Sequence, residues 1–112
     1  MDANTAKQVT VDPLIAWGNM QTPYSQEAEE ATLGAIIIDP MSYYDVAQFL
    51  EADDFFILRH RYIYTAIQAL VERGEPADYL TLCAELKRNE RLAEIGGPAY
   101  VTQLCKDRKS VV

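Results

Sequence analysis

From Ser25 onward, apolar residues recur at three- and four-residue intervals, and no two-residue alternation persists for the length of a strand. Ser25 can cap a first helix through its hydroxyl. Glu27, Glu29 and Glu30 follow in or near its first turn, where carboxylates suit the positive end of the helix dipole. Ala28, Ala31 or Thr32, Ala35 and Ile38 share a face, and Ile36 and Ile37 widen it. Gly34 implies close approach of a neighbouring helix. Asp39-Pro40 predicts a second helix, a cap followed by proline at the first helical position, with Tyr44, Ala47 and Leu50 inward and an end near Glu51.

Asp53-Asp54-Phe55-Phe56 reads as a bend presenting two aromatics. A third helix is expected from about Leu58 to Arg73, with Ile63, Ala66 or Ile67, and Leu70 as its stripe. Gly74 supplies the left-handed stop and Pro76 prevents continuation. Asp78 caps a fourth helix bearing Leu82, Cys83 and Leu86, with Lys87 and Arg88 near its negative end. Gly96-Gly97-Pro98 breaks the chain before a fifth, with Tyr100 or Val101, and Leu104. The fold class is therefore all-α, a compact bundle of about five short helices joined by short loops. Residues 1–22 show no sustained period and read as a flexible leader, tied down by Leu14, Ile15 and Trp17 or serving as a peptide anchored by Trp17. Residues 23–106 form the domain, and 107–112 a C-terminal tail.

Composition fits one soluble domain: 112 residues, 49% apolar and 24% charged. A chain this small buries only about 60–65% of its extended surface, so partner surfaces are expected to add stability. The net charge of −7 repels phosphate, and the basic residues fall in small groups: Arg59 and Arg61; Lys87, Arg88 and Arg91; Lys106, Arg108 and Lys109. None has the density of a nucleic-acid patch. Cys83 and Cys105 are too far apart for a CxxC clip and lack companion histidines, which argues against zinc. With no apolar run near 20 residues and no signal peptide, the expected location is the cytoplasm, without a membrane partner.

Catalytic patterns are missing too. There is no G-x-x-x-x-G-K-[ST] loop, H-E-x-x-H or G-x-S-x-G. His60 stands alone between two arginines and is expected to be packed or capping, because general-base work needs positioned partners. Asp53-Asp54 and Glu29-Glu30 are expected to cap helices and face solvent, since consecutive helical residues point in different directions.

The order of these signals is more distinctive than any one of them. Pro23-Tyr24-Ser25, Glu27-Ala28-Glu29 and Leu33-Gly34-Ala35 resemble the opening "P-x-S-x-E-A-E-x-x-x-L-G" of DnaB-family replicative helicases. The likeness continues through Val46-Ala47, Asp53-Asp54-Phe55-Phe56, His60, Ile63-Tyr64, Gly74-Glu75-Pro76, Asp78, Thr81-Leu82 and Glu85-Leu86. It closes at Leu92 and Ile95-Gly96-Gly97-Pro98-Ala99-Tyr100. The resemblance implies an orthogonal helical head, non-catalytic itself, in front of a hairpin, a linker and a RecA-like motor that uses ATP and Mg. It implies a hexameric collar of such heads, contact with DNA primase and in some systems a helicase loader, and DNA contact only through the motor. After Leu104 the chain reads Cys105-Lys106-Asp107-Arg108, where the family carries a polar Asn-Thr-Pro-like stretch into the hairpin. Residues 107–112 are then the start of that hairpin or linker, or the edge of a fragment.

Candidate contact residues are Phe55, Phe56, Arg59, Tyr62 and Tyr64, because aromatics and arginine dominate interface energetics. The bland alternative has Phe56, and to a lesser degree Phe55, closing the core between helices two and three. Two other functions are possible: a free-standing adaptor that copies the helicase head, and a small helix-turn-helix DNA binder. The long acidic turn Gly74-Glu75-Pro76-Ala77-Asp78 disfavours the DNA binder, placing an acid where phosphate would approach.

Overall fold

A computed structural model describes residues 25–111, with side chains over 25–106. The expected leader (1–22) and the side chains of the expected tail (107–112) lie outside the described residues. Helix α1 spans Gln26–Ile38, α2 Ser42–Val46, α3 Leu58–Glu72, α4 Tyr79–Arg88 and α5 Gly97–Val111, with a 3-10 turn at Ala52–Asp54. Among the described residues there is no strand, as the helical periodicity predicts.

The Ser25 hydroxyl accepts the Ala28 backbone N–H at 3.2 Å, as a helix cap should. The buried residues of α1 are Ala28, Glu29, Thr32, Leu33, Gly34, Ile36 and Ile37: Ala28, Thr32, Ile36 and Ile37 lie inward as expected, and the face extends over Glu29 and Leu33 instead of Ala35 and Ile38. Ala35 is only half-buried and Ile38 is exposed. Leu33, Ile36 and Ile37 carry more apolar surface than Ala31 and Ala35, so turning them inward gains more.

Asp39 ends α1 instead of capping α2. Its backbone N–H donates to the Ala35 carbonyl at 3.0 Å, and its own carbonyl accepts from Ser42 at 2.8 Å. Helix α2 is correspondingly short and gives way to turns before Leu50. Val46 and Leu50 face inward while Tyr44 and Ala47 are exposed, the reverse of the expected face for Tyr44 and Ala47. A Tyr43–Val46–Leu50 stripe repeats at three and seven residues, matching 3.6 per turn, whereas three-and-six spacing drifts off the face.

Helix α3 buries His60, Ile63, Tyr64, Ala66, Ile67 and Leu70. Gly74, at φ +80°, closes it: the Gly74 N–H reaches Val71 and the Glu75 N–H reaches Leu70, both at 2.9 Å. That pair of hydrogen bonds to the last carbonyls needs a left-handed residue at its centre. Asp78 caps α4 by accepting from the Thr81 N–H at 3.0 Å, while Thr81 Oγ1 accepts from the Asp78 N–H at 3.0 Å.

The end of α4 repeats the α3 pattern with a different residue. The Glu90 N–H donates to Lys87 at 3.0 Å and the Arg91 N–H to Leu86 at 2.8 Å, with Glu90 itself at φ 61°. Glycine fills this position without the steric cost of a Cβ. Glu90→Gly is therefore expected to raise unfolding stability by about 0.5–1 kcal/mol, read as a higher urea midpoint at unchanged slope. A lower midpoint would mean that the Glu90 side chain contributes contacts outweighing the backbone strain.

Helix α1 packs most extensively on α5, and α3 on α4, with the 3-10 turn lying against α3. The shared core includes Leu33, Ile36, Phe55, Ile63, Tyr64, Ile67, Leu82, Leu86, Ile95 and Leu104. Tyr64 keeps its polar end satisfied by donating its hydroxyl to the Leu50 carbonyl at 3.0 Å.

Candidate functional site

Glu29 lies on the apolar face of α1 and is fully buried, contrary to the expectation of a solvated carboxylate. Its Oε2 accepts the Phe56 N–H at 2.7 Å, and its Oε1 accepts the Ile57 N–H at 3.3 Å. His60 Nδ1 sits 2.6 Å from the same Oε1. A carboxylate ringed by donors fixes the tautomer: Nδ1 carries the hydrogen, and Nε2 accepts the Tyr100 hydroxyl at 2.6 Å. The Tyr100 hydroxyl is also 3.5 Å from Glu30 Oε2. One cluster thus ties α1, the 55–57 bend, α3 and α5 together. His60 is packed, as its isolation in the sequence suggests, with both ring nitrogens engaged and no exposed surface.

Burial pushes the His60 pKa below its ordinary 6.5, against the opposing pull of the Glu29 hydrogen bond. On the α3–α4 seam, Glu85 accepts from Arg73 at 2.8 Å and from Arg88 at 2.7 Å. Those guanidinium groups, Arg73 first, hold its carboxyl at about 2, from an ordinary 4.5. The unfolded chain binds more protons than the folded one at both sites, so stability rises with pH. The His60 contribution is fully present above pH 6.5 and is lost as pH falls through its lower folded value. The Glu85 contribution is fully present above pH 4.5 and is lost on the way down to about 2. Urea midpoints measured from pH 7.5 to 3 should fall in two stages, and Glu85→Gln should flatten the lower one. A midpoint constant between pH 7.5 and 5 would remove His60 from the account.

The five candidate contact residues do not form one surface. Phe55 and Tyr64 are fully buried with ring centroids 4.9 Å apart, so both belong to the core. Phe56, expected to be the more inward of the aromatic pair, is 55% exposed. The bend reverses that expectation because Glu29 holds the Phe56 and Ile57 N–H groups, leaving Phe55 to point at Tyr64. Arg59 stacks its guanidinium 4.4 Å from the Tyr100 ring centre, and Arg91 lies 4.1 Å over the half-buried ring of Tyr62. At the surface remain Phe56, and Arg59 and Tyr62, each partly exposed.

Sequence reasoning placed Glu29 in solvent, although its spacing to Thr32, Leu33 and Ile36 puts it in an apolar stripe, where a carboxylate needs buried donors. It also overlooked Leu58 and Phe49, both more than half exposed, along with Met41 and Leu80. Among the described residues, no cluster of His, Cys, Asp and Glu could hold a metal ion, and no helix is long and apolar enough to cross a membrane.

Residues 21–112 match the family model described as the DnaB-like helicase N terminal domain. The chain is 42% identical over 82 residues to the replicative DNA helicase DnaB of Geobacillus stearothermophilus, covering 73% of this chain and 18% of that protein. It is 40% identical over 82 residues to the replicative DNA helicase DnaC of Bacillus subtilis (strain 168), again covering 73% of this chain and 18% of the relative. The crystal structure of the N-terminal domain of DnaB helicase from Mycobacterium tuberculosis superposes with a TM-score of 0.73 at 38% identity, covering 77% of this chain and 62% of that one. The chain spans less than a fifth of the length of these helicases. Its helical architecture, its punctuation and these likenesses agree: the chain belongs to the DnaB-like helicase N-terminal domain family.

Proposed function

We propose that this chain is the non-catalytic docking head of a replicative DNA helicase, mediating assembly of a hexameric collar and contact with DNA primase or a helicase loader in the cytoplasm. ATP, Mg and DNA belong, in this reading, to a motor domain of the parent protein. The observation that carries it is family membership in a head whose surface leaves Phe56 and Leu58 more than half exposed. Large apolar side chains in water are what a protein partner covers with gain.

Two measurements test the reading. Light scattering of the chain from about 1 to 500 µM reads self-association over the range of weak contacts. Titration with the helicase-binding domain of a bacterial primase reads the second role. Concentration-dependent mass, or saturable primase binding weakened by Phe56→Ala, is the expected result. A strict monomer that ignores primase, or tight salt-sensitive binding to duplex DNA, overturns it.

A further inference from the structure

Helix α2 turns an unusual face outward. Met41, Tyr44, Asp45 and Gln48 follow one another at helical spacing and are all exposed, and Phe49 beside them is 67% exposed. Ile38, at the end of α1, extends the apolar surface by another turn. Buried Val46 and Leu50 hold the opposite side in the core, so the outward residues are not a packing error awaiting rotation.

Along the chain, the charge beside this face has one sign. No lysine, arginine or histidine occurs between Lys7 and Arg59, while Asp39, Asp45, Glu51, Asp53 and Asp54 border the apolar residues along the chain. A groove of about 420 Å³ lies at the edge of α2 toward α3, lined by Tyr43, Ala47, Leu50, Glu51, Asp53 and Gln68. Gln68 lines it from α3, and Glu72 of α3 adds a further carboxylate near Tyr43. Three arginines of the domain pair with carboxylates elsewhere, Arg73 and Arg88 with Glu85, and Arg91 with Glu94.

Resting on the docking reading above, we propose that the outer face of α2 is a docking surface for a cationic amphipathic helix of a partner protein. Apolar residues of that helix would cover Tyr44 and Phe49, while its lysines and arginines would meet Asp45, Glu51 and Asp53. Like charges opposed across such a face would be costly, which disfavours a second copy of this acidic segment in the same place.

The test uses the whole 112-residue chain and a synthetic 18-residue Leu/Lys amphipathic helix, with the Leu/Glu peptide of the same pattern as control. Backbone amide shifts of residues 38–54 should move saturably with the Leu/Lys peptide and not with the control. Phe49→Ala and Asp45→Lys should each weaken binding about tenfold, whereas Glu90→Lys at the end of α4 should leave it within about twofold. Circular dichroism confirms that each variant stays folded. Equal weakening by Glu90→Lys, shifts centred on α4 and α5, or no saturable binding overturns the proposal. So do concentration-dependent shifts of residues 38–54 without peptide, which would assign the face to a second copy. If primase binds and responds to Phe56→Ala while Phe49→Ala and Asp45→Lys are silent, the α2 proposal fails and the docking reading stands.

Discussion

Glu29→Ala is expected to lower the unfolding free energy by about 3–5 kcal/mol, because it takes the shared buried acceptor away from three donors. The reason is what remains. The N–H groups of Phe56 and Ile57 and the Nδ1–H of His60 all lose their acceptor inside the domain. A single buried donor without a partner costs about 1–3 kcal/mol, and these are adjacent, so the costs do not simply add. Domains of this size hold only about 5–15 kcal/mol, so the variant sits near the edge of folding. Glu29→Gln keeps one acceptor oxygen and presents an amide hydrogen to the remaining donors, so its cost should be about 1–3 kcal/mol. Urea denaturation followed by circular dichroism measures both. A change below about 1 kcal/mol for Glu29→Ala would show that the bend relaxes to find water, and that the cluster does not set the fold.

The adjacent aromatics should part company under truncation. Phe55→Ala is expected to cost about 3–5 kcal/mol, since it opens a cavity and removes the ring contact with Tyr64. Phe56→Ala should cost less than about 1 kcal/mol, because half of its surface is already in water. Comparing thermal midpoints of the two variants at one pH is sufficient. If the two lose similar stability, the Glu29 clamp does not hold the bend in the described orientation.

Helix ends were the most legible part of the chain. Ser25 and Asp78 cap where their short side chains predict, and Gly74 stops α3 in the left-handed conformation its lack of a Cβ permits. Faces were harder. In α1 and α2 candidate stripes overlap, and the choice depends on which set fills the space under α5 and α3, a tertiary fact. Phe55 and Phe56 were ambiguous for a related reason: neighbouring residues at a bend look alike until something fixes the backbone. That something is Glu29, some 27 residues away in sequence, and no local pattern joins the two. The left-handed Glu90 was illegible because glycine is the residue that signals such a stop.

The close pairing of α1 with α5 has a kinetic side. These are the first and last described helices, and the contact between them is the most extensive in the domain. On a ribosome, α3 and α4 can meet while the chain is still being made, since their contacts are local. The apolar face of α1 has to wait until Val101 and Leu104 have emerged, because loop closure over so many residues comes late in a folding reaction. Until then Leu33, Ile36 and Ile37 remain without their main cover, a window in which a nascent chain is open to chaperones and to misassembly with its neighbours on the same message.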